Sequence, residues 1–184
     1  NYIKNVNIYT CDYGQCIQEL IFEDSMLSKQ NPNIIFLIDR PEDIINKTLD
    51  DYNESDNKKI ESYFDSIRSY INRHSSVQFF IMEYFATEKT TLFNCADKQI
   101  LNQFKDALQE LRNEFPTNID IINMDNLMNV QITDKRMWYI GKIPYTNVFF
   151  NKLSNKIVGL ILSLKGLTSR LLILDLDNTL WGGI

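Results

Sequence analysis

The chain has 184 residues, a net charge of −5, 44% hydrophobic residues and 23% charged ones. This is the make-up of a globular protein with room for one ordinary domain and a piece of another. The acidic balance speaks against a general nucleic-acid binder, whose footprint is basic. No apolar run approaches the roughly 20 residues of a membrane span, so the expectation is a soluble cytoplasmic protein with neither nucleic acid nor membrane as partner.

In chain order, residues 5–9 read as a short strand and residues 15–22 as a short helix. Residues 33–39 are a compact β-branched run preceded by the Asn31-Pro32 breaker, which predicts a strand. A polar stretch over 48–57 reads as a surface loop or helix entry. Residues 58–74 follow with Ile60, Tyr63, Phe64, Ile67, Tyr70 and Ile71 at the spacing of one buried helix face. Residues 77–85 are the next strand, and 86–96 a loop at its end. Asp97 is then expected to cap a helix whose face is Ile100, Leu101, Phe104, Leu108, Leu111 and Phe115. Pro116 ends it, and 118–124 form a further strand. A loop-rich stretch, 125–144, leads to a last helix over 145–164, with Phe149, Phe150, Leu153, Ile157, Leu160, Ile161 and Leu164 on its apolar face. Alternation of this kind predicts a three-layer α/β/α fold with a mostly parallel sheet of about five strands.

The three cysteines, Cys11, Cys16 and Cys95, have neither disulfide-framework nor zinc-site spacing and read as reduced thiols. The single histidine, His74, ends a helix, where a solvated imidazole beside the dipole is the simplest account. Glu83, Tyr84 and Glu88 follow a strand and read as polar residues closing its end. Arg136, Trp138, Tyr139 and Lys142 concentrate cations and aromatics in one loop. Such a group suits either a partner-binding surface or packing of the rings on the last helix.

The pattern that carries chemistry lies near the end. Leu171-Leu172-Ile173-Leu174 is a buried-strand run, and Asp175-Leu176-Asp177-Asn178-Thr179 follows it. Two carboxylates two residues apart, at the C-terminal end of a parallel strand, sit where open α/β sheets place ligands. One carboxylate can attack phosphorus and form an acyl phosphate, and the other can move the proton of the leaving group and then of water. A hard divalent ion with oxygen ligands, Mg²⁺, suits the pair.

Residues 174–183, Leu-Asp-Leu-Asp-Asn-Thr-Leu-Trp-Gly-Gly, resemble motif I of the haloacid-dehalogenase (HAD) superfamily in the form carried by FkbH-like proteins. Residues 134–145, Asp-Lys-Arg-Met-Trp-Tyr-Ile-Gly-Lys-Ile-Pro-Tyr, are similar to the junction that precedes that motif. Asp12-Tyr13-Gly14-Gln15, residues 19–29 and Asn31-Pro32-Asn33-Ile34-Ile35-Phe36 resemble the family's N-terminal region. The resemblance implies an SGNH-hydrolase-like (flavodoxin-like) domain over 1–167 and the start of a HAD domain over 168–184. It implies that Asp175 is the nucleophile and a Mg²⁺ ligand, that Asp177 is the general acid/base and lies at the metal, and that Thr179 braces the loop. It further implies removal of phosphate from 1,3-bisphosphoglycerate and loading of the glyceryl unit on an acyl carrier protein, which Arg136, Trp138 and Lys142 are candidates to contact. The family's later motifs would follow residue 184, so this chain alone is expected to turn nothing over.

An SGNH-type ester hydrolase and a non-catalytic docking module are the rival readings. Against the hydrolase, Tyr9-Thr10-Cys11-Asp12 is the nearest approach to a nucleophile turn, and Met137 stands where a histidine would follow Asp134.

Overall fold

The computed structural model describes residues 6–12, 14–46, 53–84, 95–124, 132, 134, 136 and 145–167. It divides into two compact units, Asn1–Met124 and Asp125–Ile184.

The first unit is Rossmann-like. Three parallel strands, β1 (Ile34–Leu37), β2 (Gln78–Met82) and β3 (Ile119–Ile122), lie in the order β1-β2-β3. Ile35 pairs with Phe79 and Phe79 with Ile119, so one register runs across the sheet. Helices α1 (Cys16–Ile21), α2 (Met26–Gln30) and α3 (Pro41–Ile45) are short. The long crossovers are α4 (Asn57–Arg73) and α5 (Cys95–Glu114). Right-handed crossovers that advance in one direction put both helices on the same face of the sheet. The side chains agree: Phe64 and Phe104 have ring centroids 6.3 Å apart, and Arg68 Nε donates to Glu114 Oε2 at 2.8 Å.

The core of the first unit forms where β-branched and aromatic residues alternate toward these helices. Ile35, Leu37, Phe79, Ile81 and Ile119 meet the apolar stripes of α4 and α5. All six face residues expected on α4 are buried, as are Ile100, Phe104, Leu108 and Leu111 of α5. The opposite sheet face carries Phe36, stacked on Phe80 at 5.2 Å, with Phe80, Met82 and Ile122 buried.

Local chemistry sets the ends. The helix entry expected before α4 is a short 3-10 turn, Glu54–Asp56. There Asn53 Oδ1 accepts from the Ser55 amide and Asp56 Oδ2 accepts from the Asn53 amide, a reciprocal cap that satisfies orphan donors. Lys59 Nζ bridges Asp56 Oδ1 at 3.0 Å and the Ile45 carbonyl at 2.6 Å, joining α3 to α4. Arg73, at the end of α4, donates to the last carbonyls of α1, Leu20 and Ile21.

Three expectations change. Residues 6–9 of the first expected strand are not a strand: Val6 and Ile8 are exposed, so pairing would bury neither. Asp97 lies inside the first turn of α5, which starts at Cys95, and not at the position that precedes the helix. Helices α2 and α3 were not foreseen, although Ser25 caps the first and Pro41 opens the second. Of the five expected strands three form β1–β3, the first is not a strand, and that over 171–174 lies outside the described residues; so does most of the loop expected over 86–96, whose last two residues open α5.

In the second unit, α6 (Asn147–Leu164) is capped by Thr146, whose Oγ1 accepts from the Phe149 amide at 3.2 Å. Tyr145 and Phe149 stack at 4.5 Å over the first turn. Among the described residues no helix is long and apolar enough to cross a membrane.

Candidate functional site

Parallel sheets offer ligands the crevice beyond the carboxyl ends of their strands. At that edge of the first unit, Asp39 stands two residues beyond β1, and Glu83 and Tyr84 directly follow β2. Tyr63, on the first half of α4, donates its hydroxyl proton to Asp39 Oδ2 at 2.9 Å. The Cys16 thiol, at the start of α1, reaches the same oxygen at 3.5 Å. One carboxylate oxygen therefore ties together β1, α1 and α4.

The electrostatics of this cluster favour neutral groups. Burial raises the Asp39 carboxyl above its ordinary range, the Tyr63 and Cys16 donors pull it back down, and the Asp43 charge adds to the rise. Burial and then the Asp39 charge push the Cys16 thiol up. Burial likewise raises Cys11, with Asp39 and Glu19 adding to it. A reactive cysteine needs a stabilised thiolate, and neither thiol has one. Burial also raises the phenols of Tyr63 and Tyr84. The cluster is thus built to hold the sheet edge, with the Cys16 thiol and the Tyr63 and Tyr84 phenols kept in their protonated forms.

Glu83 closes the same edge. Its Oε2 accepts from the Met124 amide at 3.3 Å, and its Oε1 lies 3.6 Å from Lys105 Nζ. His74 ends α4 at the other edge of the sheet, its ring stacked on Tyr70 at 4.5 Å and its carbonyl accepting from the Val77 amide. The one imidazole of the chain is therefore at the amino ends of the strands and cannot serve as base for a hydrolase at the carboxyl ends.

Of the residues expected from sequence to act in catalysis, metal binding or partner binding, Arg136 is described. It is exposed and turned onto Asp134, with its amide 2.9 Å from Oδ1 and its guanidinium 3.2 Å from Oδ2. Those contacts hold the Asp134 carboxyl below its usual range. Trp138, Lys142, Asp175, Asp177 and Thr179 lie outside the described residues. Among the described residues no group of three histidines, cysteines or carboxylates is placed to hold a metal ion. Asp39 and Tyr63 were missed as a polar pair: Asp39 looked like the end of a strand and Tyr63 like core. The legible signal was an acid directly after a run of aliphatic residues.

The three parallel strands and flanking helices of the first unit make this a Rossmann-like α/β protein. No family model matches the chain, and no curated protein matches it. Among solved structures, it is similar to the N-terminal part of the protein BF1531 from Bacteroides fragilis, described as containing a phosphatase domain complexed with Mg. The TM-score is 0.76 at 19% identity, over 98% of this chain and 50% of that one. The likeness is one of fold, and the chain spans half the length of that structure.

Proposed function

We propose that this chain is part of a Mg²⁺-dependent HAD-superfamily phosphatase of the FkbH-like kind, one that acts on an acyl phosphate and loads the acyl unit on an acyl carrier protein. The observation that carries this reading is a coincidence of two independent features. The fold shared with a structure described as containing a Mg-bound phosphatase domain spans 98% of the chain. The same chain carries Leu174-Asp175-Leu176-Asp177-Asn178-Thr179.

The donor chemistry fits the metal. Asp175 and Asp177 offer hard carboxylate oxygens of the kind Mg²⁺ selects, and the described residues offer no rival set. When bound, the ion would offset phosphate charge beside the two carboxylates. The acyl phosphate would acylate the carrier's thiol with phosphate as the leaving group. The Asp175 carboxylate would attack the phosphorus of the remaining phosphate ester, forming an aspartyl phosphate as the bond to the alcohol oxygen breaks. Asp177 would give that oxygen its proton and then take one from the water that releases phosphate. Thr179 would hold the loop by hydrogen bonding. Residues 1–167 would serve as the accompanying SGNH-like domain. Arg136, Trp138 and Lys142 are the proposed contacts for an acidic carrier, or for the domain that follows.

The test is Mg²⁺-dependent phosphate release from 1,3-bisphosphoglycerate, with and without a carrier protein, in the protein carrying the complete catalytic domain and in this chain alone. Activity confined to the complete form, and lost in Asp175→Asn, is the expected result. Undiminished release by Asp175→Asn would remove the proposal, and so would ester hydrolysis by the short chain alone.

A further inference from the structure

Helix α6 carries one apolar stripe along its whole length: Phe149, Leu153, Ile157, Leu160, Ile161 and Leu164, at spacings of three and four. Its burial falls steadily. Phe149 is 0% exposed and Leu153 3%, the next three are partly open, and Leu164 is 49% exposed. A stripe that is closed at one end and open at the other is only partly covered along its second half.

The chain itself points to the occupant. Gly166 takes a left-handed φ of 66°, the Leu167 amide bonds to the Leu162 carbonyl at 2.9 Å, and the Gly166 amide bonds to Ser163 at 3.0 Å. This pair of bonds is a Schellman turn, which ends the helix and sends the chain off in a new direction beside its last turn. Only residues 168–170 separate Leu167 from the Leu171-Leu172-Ile173-Leu174 run that opens the acidic motif. The four steps of chain from Leu167 to Leu171 span at most about 14 Å. Whatever forms around residues 171–183 is therefore held beside the open end of the stripe, at an effective concentration a free partner cannot match.

We infer that the second half of the α6 stripe, Ile157 to Leu164, is the seat of the domain that residues 171–183 open, so that α6 is shared between the two parts of the protein. This rests on the phosphatase reading for the nature of that domain, though not for the surface itself. A docked stripe would fix the orientation of Asp175 relative to residues 1–167, whereas a free linker would leave it loose.

The experiment uses the protein with its complete catalytic domain, carrying Leu160→Cys or Leu164→Cys on the stripe, or Asn155→Cys on the opposite, exposed side of α6. Maleimide labelling under native conditions is mapped by peptide mass spectrometry, so that Cys11, Cys16 and Cys95 are read separately. The expected result is labelling at 160 and 164 at least about tenfold slower than at 155, since access then needs the domain to open, and unchanged on dilution. Leu164→Cys, at a half-exposed position, carries the test if Leu160→Cys folds poorly. Labelling of all three at one rate would overturn the inference. Protection lost on dilution would assign the stripe to a second copy, and protection seen only with added carrier would assign it to the carrier; either overturns it too. Asp175→Asn should leave the protection intact. If that variant still released phosphate while the stripe stayed protected, the functional reading would fail and this one would stand.

Discussion

Helices α4 and α6 are nearly the same length, 17 and 18 residues, yet they are held in opposite ways. The stripe of α4 is buried from Ile60 to Ile71, its start is locked by the Asn53–Asp56 cap and Lys59, and its end reaches α1 through Arg73. The stripe of α6 is buried at Phe149 and Leu153 and then opens. Both sequences show the same three-and-four spacing. The difference lies in what each stripe meets. A helix between two parallel strands is covered by the sheet those strands form, whereas α6 has no such pair of strands around it among the described residues.

The largest expected effect tests the closed helix. Phe64 is 1% exposed and packs on Phe104 and Tyr84. Phe64→Ala should cost about 3–5 kcal/mol, the range for deleting a buried aromatic ring, read as a lower urea midpoint. On the open end of α6, Leu164→Ala should move the midpoint by under about 0.5 kcal/mol in this chain. Equal losses at the two sites would erase the contrast.

Tyr63→Phe comes next. It removes the 2.9 Å donor from Asp39 while leaving the ring packed on Phe64. A buried acceptor deprived of a partner costs about 1–3 kcal/mol. The Asp39 carboxyl should then titrate at a higher pH, because the phenol was favouring its charged form. An unchanged titration, followed by NMR of the carboxyl carbon, would mean that the hydrogen bond does not form in solution. Thr146→Ala should cost about 1 kcal/mol, the usual loss of a helix N-cap. It should lower helix content at α6 while β1–β3 stay intact by amide exchange. A cap whose loss left α6 unchanged would mean that burial at Phe149 and Leu153 suffices to start the helix.

The residue pattern made α4, α5, the β1 and β2 strands and the placement of β3 legible, because long stripes and β-branched runs are repeated signals. Short helices such as α2 and α3 carry no such repetition, and only the Ser25 cap and Pro41 mark them. The failed strand at residues 6–9 shows the limit of alternation. Two apolar residues imply a buried face only when a neighbouring strand is there to bury them, and Ile8 is 79% exposed. The Asp39 cluster was hidden for another reason. Cys16, Asp39 and Tyr63 are separated by more than twenty residues at each step and meet only when β1, α1 and α4 converge. The acidic motif at 175–179 was read chiefly from its resemblance to a known family's motif, since two carboxylates at that spacing are common in loops, and it lies outside the described residues.

The smallest effect is the pH dependence of that cluster, and its sign is opposite to that of an ordinary salt-bridged aspartate. Asp39 has a folded pKa raised above its unfolded value, chiefly by burial, with the Asp43 charge adding to the rise. Below the unfolded value, about 3.9, the carboxyl is protonated in both states and its favourable contribution is complete. As pH rises through the folded value, the folded state must ionise a carboxyl that the unfolded state ionises more readily, so that contribution is lost. Asp39→Asn keeps an oxygen to accept from Tyr63 and cannot ionise. The stability of the native protein relative to this variant should therefore fall as pH rises from about 4, over a window that ends once ionisation is complete, and then level off. Cys16 and Cys11, both raised by burial, stay protonated over that window and add no slope. Urea midpoints of the two proteins across the window decide the matter. A difference that is flat, or that grows in favour of the native protein with pH, would mean that Asp39 is held as a charged anchor, and that the edge closed by Tyr63 and Cys16 is open enough to solvate it.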